Sequence, residues 1–257
     1  TDMVKMFKSK NLQSVKHGFF GRSGGVSTGI YSSLNLSENT TDCKGNIYAN
    51  RALVLDALDI SSQKVFFPNQ QHTNNVVFID KKADFDKLSY EPVDAVITNL
   101  KGIGIGILTA DCSPILAHES ESGFILAIHA GWKGAISGVC ENALNSLKDL
   151  GVDLKKISVA IGPTISKKCY EVKLDFIERF IKTDPCFEKF FIKEDGNYFF
   201  DLTLFIESRF NLLGVYDIHN LDLCTYENSE LFFSNRRAYH KSERDFCLLY
   251  TSDAADD

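Results

Sequence analysis

Three residues of types that bind transition metals stand in segments that adjoin predicted strands. His72 ends the segment 69–72, Cys112 ends 109–112 and His129 begins 129–134. Two imidazoles and a thiolate suit zinc, and three protein ligands leave a fourth position for water or substrate; copper accepts the same ligand types. We therefore predict a catalytic metal site. On residue type alone, a buried inert thiol and structural histidines are the alternative.

Two glycine-containing segments each carry a basic side chain that could bind phosphate. Gly131 precedes Lys133 at the predicted start of a helix, where exposed backbone N–H groups and a cation attract an anion. Arg22 stands in the glycine-rich loop 21–27, which could hold phosphate or a ribose hydroxyl but lacks the pattern of a Walker loop. Plain turns are the alternative for both segments. Asp111, which stands beside the predicted thiol ligand, is predicted to orient a histidine ligand.

The elements that must position these residues alternate irregularly between helices and strands. Apolar residues recur at helical spacing in the segments 46–58, 136–150, 174–181 and 202–213. Short apolar runs predict strands at 65–67, 75–79, 102–108, 124–130, 157–161, 216–219 and 231–233. The runs 102–108 and 124–130 are apolar at consecutive positions, as in central strands covered on both faces. The pattern favours a layered mixed α/β protein with its three predicted ligands at strand ends.

Composition restricts the partners and the compartment. The 257 residues are 44% hydrophobic and 24% charged, which is typical of a globular chain with a sizeable core. A net charge of −6 argues against nucleic acid as a partner, and no apolar run approaches the roughly 20 residues that span a membrane. Seven cysteines without a C-x-x-C pair or an export signal predict thiols in the cytoplasm. We expect one domain over 1–250 and a disordered tail at 251–257, and the oligomeric state stays open.

Short motifs follow one another in an order that resembles a known family. They are HGFF at 17–20, R at 22, GGVS at 24–27, SLNL at 33–36, QQH at 70–72, DA at 94–95, TADC at 109–112, HAGW at 129–132, GP at 162–163, YEV at 170–172, FS at 233–234 and RR at 236–237. Over about 17–249 the chain resembles the YfiH-like family. Its members are variously named laccase-domain proteins, polyphenol oxidases, purine nucleoside phosphorylases and peptidoglycan editing factors.

The resemblance implies a metal site, an activity and a fold. It implies that His72, Cys112 and His129 hold a metal ion, usually zinc, with Cys112 and His129 also acting in catalysis. It implies phosphorolysis of adenosine, inosine and methylthioadenosine, with adenosine deamination as a companion activity. The implied fold is of the α+β class, with α/β/β/α layers and mixed sheets. Purine nucleoside and phosphate are the expected partners.

The resemblance also bears on the residues that would hold substrate. Arg22 stands where the family pattern has an arginine and is the predicted catalytic cation for phosphate. Asn35, Gly131 and Lys133 complete the predicted substrate-binding and phosphate-binding set. Lys133 stands where relatives often have arginine, so the charge is kept and the bidentate geometry is lost. Ser242-Glu243-Arg244 stands where relatives often have Thr-Gly-Arg.

Three other classes of protein fit the same residues: a hydrolase, a copper oxidase and a nucleotide sensor. A metal-free hydrolase would use Cys112 as nucleophile and His129 as base, with the backbone near Gly131 as oxyanion hole. Cleavage of an amide in a misbuilt peptidoglycan precursor would fit either this dyad or a zinc site. A copper polyphenol oxidase needs several copper ions and many histidines, and the chain has six scattered ones. A non-enzymatic protein that senses a nucleotide is the third alternative.

Overall fold

The structure is a computed structural model that describes residues 3–60, 64–81, 88 and 90–242. The predicted tail at 251–257 lies outside the described residues, as do Glu243 and Arg244 of the departing C-terminal motif.

Most of the architecture rests on one six-stranded sheet. The strands are β1 (Met6–Phe7), β2 (Phe19–Phe20), β3 (Lys64–Phe66), β4 (Val76–Ile79), β5 (Ala95–Thr98), β6 (Ile103–Ile105), β7 (Ser113–Glu119), β8 (Phe124–Ala130), β9 (Ile157–Ile161), β10 (Glu171–Val172), β11 (Phe191–Glu194), β12 (Asn197–Phe200) and β13 (Asp217–Asn220). The sheet has the order β13-β9-β7-β8-β5-β4, and only its two outer pairs are parallel. The pairs β1-β2 and β3-β6 and the group β10-β12-β11 form smaller sheets. The sheets are therefore mixed, as expected.

Six α-helices surround these sheets within the described ranges. They are α1 (Lys44–Ala57), α2 (Trp132–Ile136), α3 (Val139–Asp149), α4 (Leu174–Thr183), α5 (Leu202–Leu212) and α6 (Asn235–His240), and short 3-10 turns cover Gly29–Tyr31, Leu154–Lys156 and Pro185–Phe190. The predicted helix at 136–150 is confirmed as α3, but a break separates it from α2. Gly138 causes the break, because its φ of 92° lies in the left-handed region that ends a helix.

Alternating side chains of the large sheet face two different layers. Ala95 and Ile97 pack into the main core with α3, α4 and α5, whereas Val96 between them packs against β3 and β6. On the far side of that small sheet, Arg51 of α1 stacks on Phe67 with its guanidinium carbon 4.5 Å from the ring centroid. The chain therefore forms helix, sheet, sheet and helix layers, which confirms the expected α+β fold.

Two predicted strands are corrected by the hydrogen bonds of the structure. The strand expected at 102–108 ends at Ile105, because the side-chain amide of Gln70 bonds both the N–H and the carbonyl of Leu108 in place of a neighbouring strand. It belongs to the small β3-β6 sheet and is not central. The strand expected at 231–233 is absent, since the N–H groups of Leu231 and Phe232 fold back onto the carbonyl of Asn228.

Two strands of the large sheet, β5 and β7, were not predicted. Cys112 consequently precedes β7 and does not end the strand at 102–108, so the prediction that all three ligands follow strand ends is wrong for the thiol. Among the described residues, no helix is long and apolar enough to cross a membrane.

Candidate metal centre and its cavity

His129 lies near the end of β8 and is almost fully buried. Its Nδ1 donates a hydrogen bond of 2.7 Å to Oδ1 of Asp94, the residue just before β5. A carboxylate on Nδ1 fixes the tautomer and leaves the lone pair of Nε2 for the opposite side of the ring. That opposite side faces Cys112. Asp94 therefore orients His129 as a potential metal ligand.

The same carboxylate also fixes the backbone around His72. Its oxygens accept hydrogen bonds from the backbone N–H groups of Gln71, His72 and Thr73 and from the hydroxyl of Thr73. His72 has a φ of 57°, in the left-handed region that non-glycine residues seldom adopt. These hydrogen bonds stabilise that conformation, so one buried carboxylate positions both imidazoles.

Cys112 reaches the two imidazoles through the antiparallel pairing of β7 with β8. Ser113 pairs with Ala130, which places Cys112 beside Gly131. The preceding residue, Asp111, has a φ of 100° and a buried carboxylate. That carboxylate accepts hydrogen bonds from residues in the C-terminal part of the chain, namely the hydroxyls of Thr225 and Ser234 and the backbone N–H of Arg236.

The prediction that Asp111 orients a histidine ligand is wrong. Both oxygens of its carboxylate are bonded to Thr225, Ser234 and Arg236, and neither is bonded to His72 or His129. Asp94 performs that role. The sequence resemblance had included Asp94 in a motif without giving it a function, and only the pairing of β5 with β8 places it beside His129.

The three predicted ligand atoms come together in one cluster. His72, Cys112 and His129 each offer one nitrogen or sulfur atom, and these atoms lie within 4.8 Å of one another. Sγ of Cys112 is 3.8 Å from Nε2 of His72, and the two imidazole rings meet edge to face with centroids 4.7 Å apart. A Cβ added at Gly131 would lie 2.7 Å from that sulfur. The geometry therefore requires glycine there.

Charge distribution inside the cluster favours an ionised thiol. Burial raises the pKa of Cys112, but the charge of His129 and hydrogen bonds from both histidines outweigh it and lower that pKa to about 6. Burial lowers the pKa of His129, whereas Cys112 and Asp94 raise it to about 10. Burial also raises the pKa of the Asp94 carboxyl, and bonds from His129 and Thr73 bring it below its usual range. A thiolate beside oriented imidazoles is the donor set that zinc or copper binds.

A cavity of about 1220 Å³ adjoins this cluster. His72 and His129 line it together with Arg22 and Asn35. Arg22 is held there by hydrogen bonds from its guanidinium to the carbonyls of Ser32 and Ser229, and it stacks on Phe233 at 4.4 Å. The fold thus brings a cation and the two predicted histidine ligands to one cavity, although the sequence separates Arg22 from them by at least 50 residues.

The polar groups of two predicted substrate-binding residues make contacts within the protein. Asn35 is buried, and its amide bonds Thr40, Asp42 and the N–H of Ser37, so it shapes its own loop. Lys133 is absent from the described lining of the cavity, and its ammonium lies 5.8 Å from the ring centroid of Trp132. Their contacts with substrate stay predictions.

Two imidazoles and one thiolate beside a large cavity in a mixed α/β fold are the arrangement of a metal-binding enzyme. The sequence model of the family described as multi-copper polyphenol oxidoreductase laccase matches residues 16–249. The chain belongs to this family, the YfiH-like laccase-domain proteins.

Similar proteins cover most of the chain. A purine nucleoside phosphorylase of Streptomyces coelicolor is 33% identical over 220 residues, 86% of this chain and 89% of the relative. The purine nucleoside phosphorylase YfiH of Shigella flexneri is 32% identical over 84% and 86% of the two chains. Among solved structures, the protein NMB0706 of Neisseria meningitidis has a TM-score of 0.80 at 28% identity, covering 92% of this chain and 94% of its own.

Proposed function

We propose that the protein is a zinc-dependent purine nucleoside phosphorylase that cleaves adenosine, inosine and methylthioadenosine. The observation that carries the proposal is the His72, Cys112 and His129 cluster at the wall of a cavity that also contains Arg22. Relatives named purine nucleoside phosphorylase support the reaction class. A bound zinc ion would supply a Lewis acid at the cluster.

In phosphorolysis an oxygen of phosphate attacks the anomeric carbon of the ribose, and the purine leaves with the electron pair of the glycosidic bond. The products are the free base and ribose 1-phosphate, or 5-methylthioribose 1-phosphate when the substrate is methylthioadenosine. Arg22 is proposed to hold the phosphate, because its guanidinium is fixed at the cavity and matches phosphate geometry. The nucleoside is proposed to bind in the cavity beside the cluster, whose lining includes both polar and apolar residues.

Adenosine deamination is proposed as a second reaction at the same cluster. Water replaces the amino group of the purine, and the products are inosine and ammonia. A zinc ion held by His72, Cys112 and His129 would supply the activation of water that this reaction needs.

The test combines metal analysis with product analysis. We expect about one zinc at the His72 cluster of the purified protein, and adenine release from adenosine that requires phosphate. Cys112→Ala should lose that zinc and both reactions. Cys186→Ala is the matched control, because Cys186 is exposed and belongs to no cluster of the described residues. A Cys112→Ala protein that lacks zinc but keeps full turnover would contradict the metal-dependent mechanism.

A cysteine amidohydrolase acting on peptidoglycan precursors is the second candidate. The lowered pKa of Cys112 beside His129 favours it, since a thiolate paired with an imidazole is a nucleophile. The phosphorylase and the amidohydrolase differ in how zinc should affect alkylation of the Cys112 thiol. Zinc should block alkylation of Cys112 in a metalloenzyme, whereas alkylation should inactivate an active metal-free hydrolase.

Copper is the alternative metal, and the family description names a multi-copper oxidoreductase. All six histidines lie in the described part of the chain, and His72 and His129 are the two that share a ligand cluster. Three protein ligands fit a single ion, so we favour zinc over a centre of several coppers.

A further inference from the structure

We infer that the chain has a second zinc site, formed by Cys169, Cys224 and Glu227. The two sulfur atoms and one carboxylate oxygen lie within 4.8 Å of one another. In a tetrahedral zinc site with Zn–S bonds of about 2.3 Å, neighbouring ligand atoms are about 3.4–3.8 Å apart. The distances between the ligand atoms therefore need to shorten by only about an ångström for zinc to bind. Among the described residues, this group and the His72 cluster are the two that meet this distance.

Backbone hydrogen bonds hold the segments that carry the two thiols together. Thr164 and Cys224 form an isolated parallel bridge, in which Thr164 donates to Leu223 and Thr225 donates to Thr164. Cys169 ends a turn in which its backbone N–H donates a hydrogen bond to the carbonyl of Ser166. The ligand positions are thus set before an ion binds, which reduces the entropy that binding would otherwise cost.

Ser166 adds a second observation at the same place. Its backbone N–H donates a hydrogen bond to Sγ of Cys224 at 3.3 Å, which orients this sulfur as such bonds orient metal ligands. Its hydroxyl lies beside the thiol of Cys169, yet its buried oxygen has no properly oriented hydrogen bond with any described residue. A buried oxygen without a partner is costly, and a metal ion or its bound water would satisfy it.

The donor set indicates which ion binds. Two thiolates select soft or borderline ions, whereas magnesium and calcium prefer oxygen ligands only. Cys224 is buried and Cys169 half-buried, while Glu227 is exposed, so the third ligand closes the site from the solvent side. Zinc accepts sulfur and carboxylate together and leaves the fourth position to water.

Cys169, Cys224 and Glu227 are absent from the described lining of the large cavity, so we assign the site a structural role although its fourth position is left to water. Cys224 adjoins Thr225, whose hydroxyl binds the carboxylate of Asp111, and Cys169 adjoins the buried Tyr170. Zinc at this point would cross-link the two segments that pack against the loop before Cys112. The ion would stabilise that loop without taking part in the reaction.

Zinc stoichiometry and cobalt spectra test the inference. We expect two zinc ions per chain in the wild-type protein and one in Cys169→Ser/Cys224→Ser, with circular dichroism to verify folding. Cys43→Ser/Cys186→Ser is the matched control, because both of these cysteines are exposed, and it should keep two. Cys112→Ala loaded with cobalt should retain a sulfur-to-cobalt charge-transfer band, whatever its activity.

Glu227→Gln changes only an exposed side chain and avoids the risk of misfolding. Loss of an outer partner of a metal ligand typically costs 10–100-fold in affinity, so loss of this ligand should weaken zinc binding at least about tenfold against a chelator. A single zinc in the wild-type protein that the Cys169→Ser/Cys224→Ser variant keeps, two zinc ions in that variant, or no cobalt–sulfur band in Cys112→Ala would overturn the inference. A Cys169–Cys224 disulfide in the protein purified without oxidant would also overturn it.

Discussion

Asp94 accepts hydrogen bonds from two parts of the candidate site. Oδ1 accepts hydrogen bonds from the ring of His129 and from the backbone N–H of His72, and Oδ2 accepts one from the backbone N–H of Thr73. The carboxylate is fully buried, so its charge is compensated by these bonds alone and not by solvent. At the scale of single residues, the site depends on this oxygen pair as much as on the ligands themselves.

Asp94→Asn should weaken metal binding about 10–100-fold, since loss of the partner of a ligating histidine has an effect of that size. An amide keeps the volume but removes the charge that fixes the tautomer of His129. Zinc affinity measured by competition with a chelator checks this. Asp195→Asn, at an exposed turn, is the control and should bind zinc as the wild type does. Equal affinities in both variants would show that Asp94 has no positioning role.

Gly131→Ala should abolish metal binding while the protein stays folded. The added Cβ would meet Sγ of Cys112 at 2.7 Å and a ring carbon of His72 at 3.0 Å, although the backbone φ of −78° suits alanine. The effect is therefore steric and local. Gly45→Ala in α1, where the nearest atom is 3.6 Å away, is the matched control. Normal zinc content of Gly131→Ala would contradict the arrangement of the cluster.

In the metal-free protein, alkylation of Cys112 should follow an ionisation with a pKa of about 6. The thiolate is the reactive form, so the rate should rise through pH 6 and be nearly constant by pH 8, whereas an ordinary thiol titrates at about 8.5. Mass spectrometry after timed reaction with iodoacetamide measures this rate. His129→Ala removes the main charge that lowers the pKa, so its profile should move to higher pH. An unchanged profile would argue against the His129 contribution.

At the scale of elements, periodicity predicted helices better than it predicted the sheet. The residues of α3 repeat their apolar positions with helical spacing over three turns, and Gly151 ends the helix as predicted. β7 begins Ser113-Pro114 and is buried on both faces, so it has neither the alternation nor the unbroken apolar run that marks a strand. The sequence motifs identified the three predicted ligands. The role of Asp94 could not be predicted from them, because it depends on the pairing of β5 with β8.

Gly138→Ala should reduce the free energy of unfolding by about 1–2 kcal/mol, the cost of a left-handed conformation for a residue with Cβ. Space is not the reason, because the nearest atom to an added Cβ is 3.7 Å away. Urea denaturation measures the change. Gly138→Asn, which tolerates this conformation better, should lose less. Equal losses in both variants would point to a cause other than backbone conformation.

At the scale of the whole molecule, phenylalanine rings fill the space between the helices and the large sheet. Phe180 is fully buried and contacts several aromatic rings at centroid distances between 4.8 and 6.3 Å: Phe176, Phe187, Phe191, Phe200, Phe205 and Trp132. Trp132 directly follows Gly131, so this cluster supports the backbone beside the candidate site. The high phenylalanine content of the sequence thus corresponds to core packing.

Phe180→Ala should lower the free energy of unfolding by about 3–5 kcal/mol, as large-to-small substitutions in a core do. Phe180→Leu should lose less, because it leaves a smaller cavity. Tyr216→Ala is the surface control, since Tyr216 is 76% exposed. Thermal and urea unfolding of the three variants give the comparison, and similar stability of Phe180→Ala and Tyr216→Ala would contradict the role of the cluster.

The bonds to Asp111 have a consequence for the biogenesis of the protein. Thr225, Ser234 and Arg236 lie 114, 123 and 125 residues after Asp111, so the loop that presents Cys112 lacks these supports until most of the chain has left the ribosome. Metal loading should therefore follow synthesis of the segment 225–236. Nascent chains stalled before residue 225 should acquire zinc poorly, even though all three ligands of the first cluster have already been synthesised.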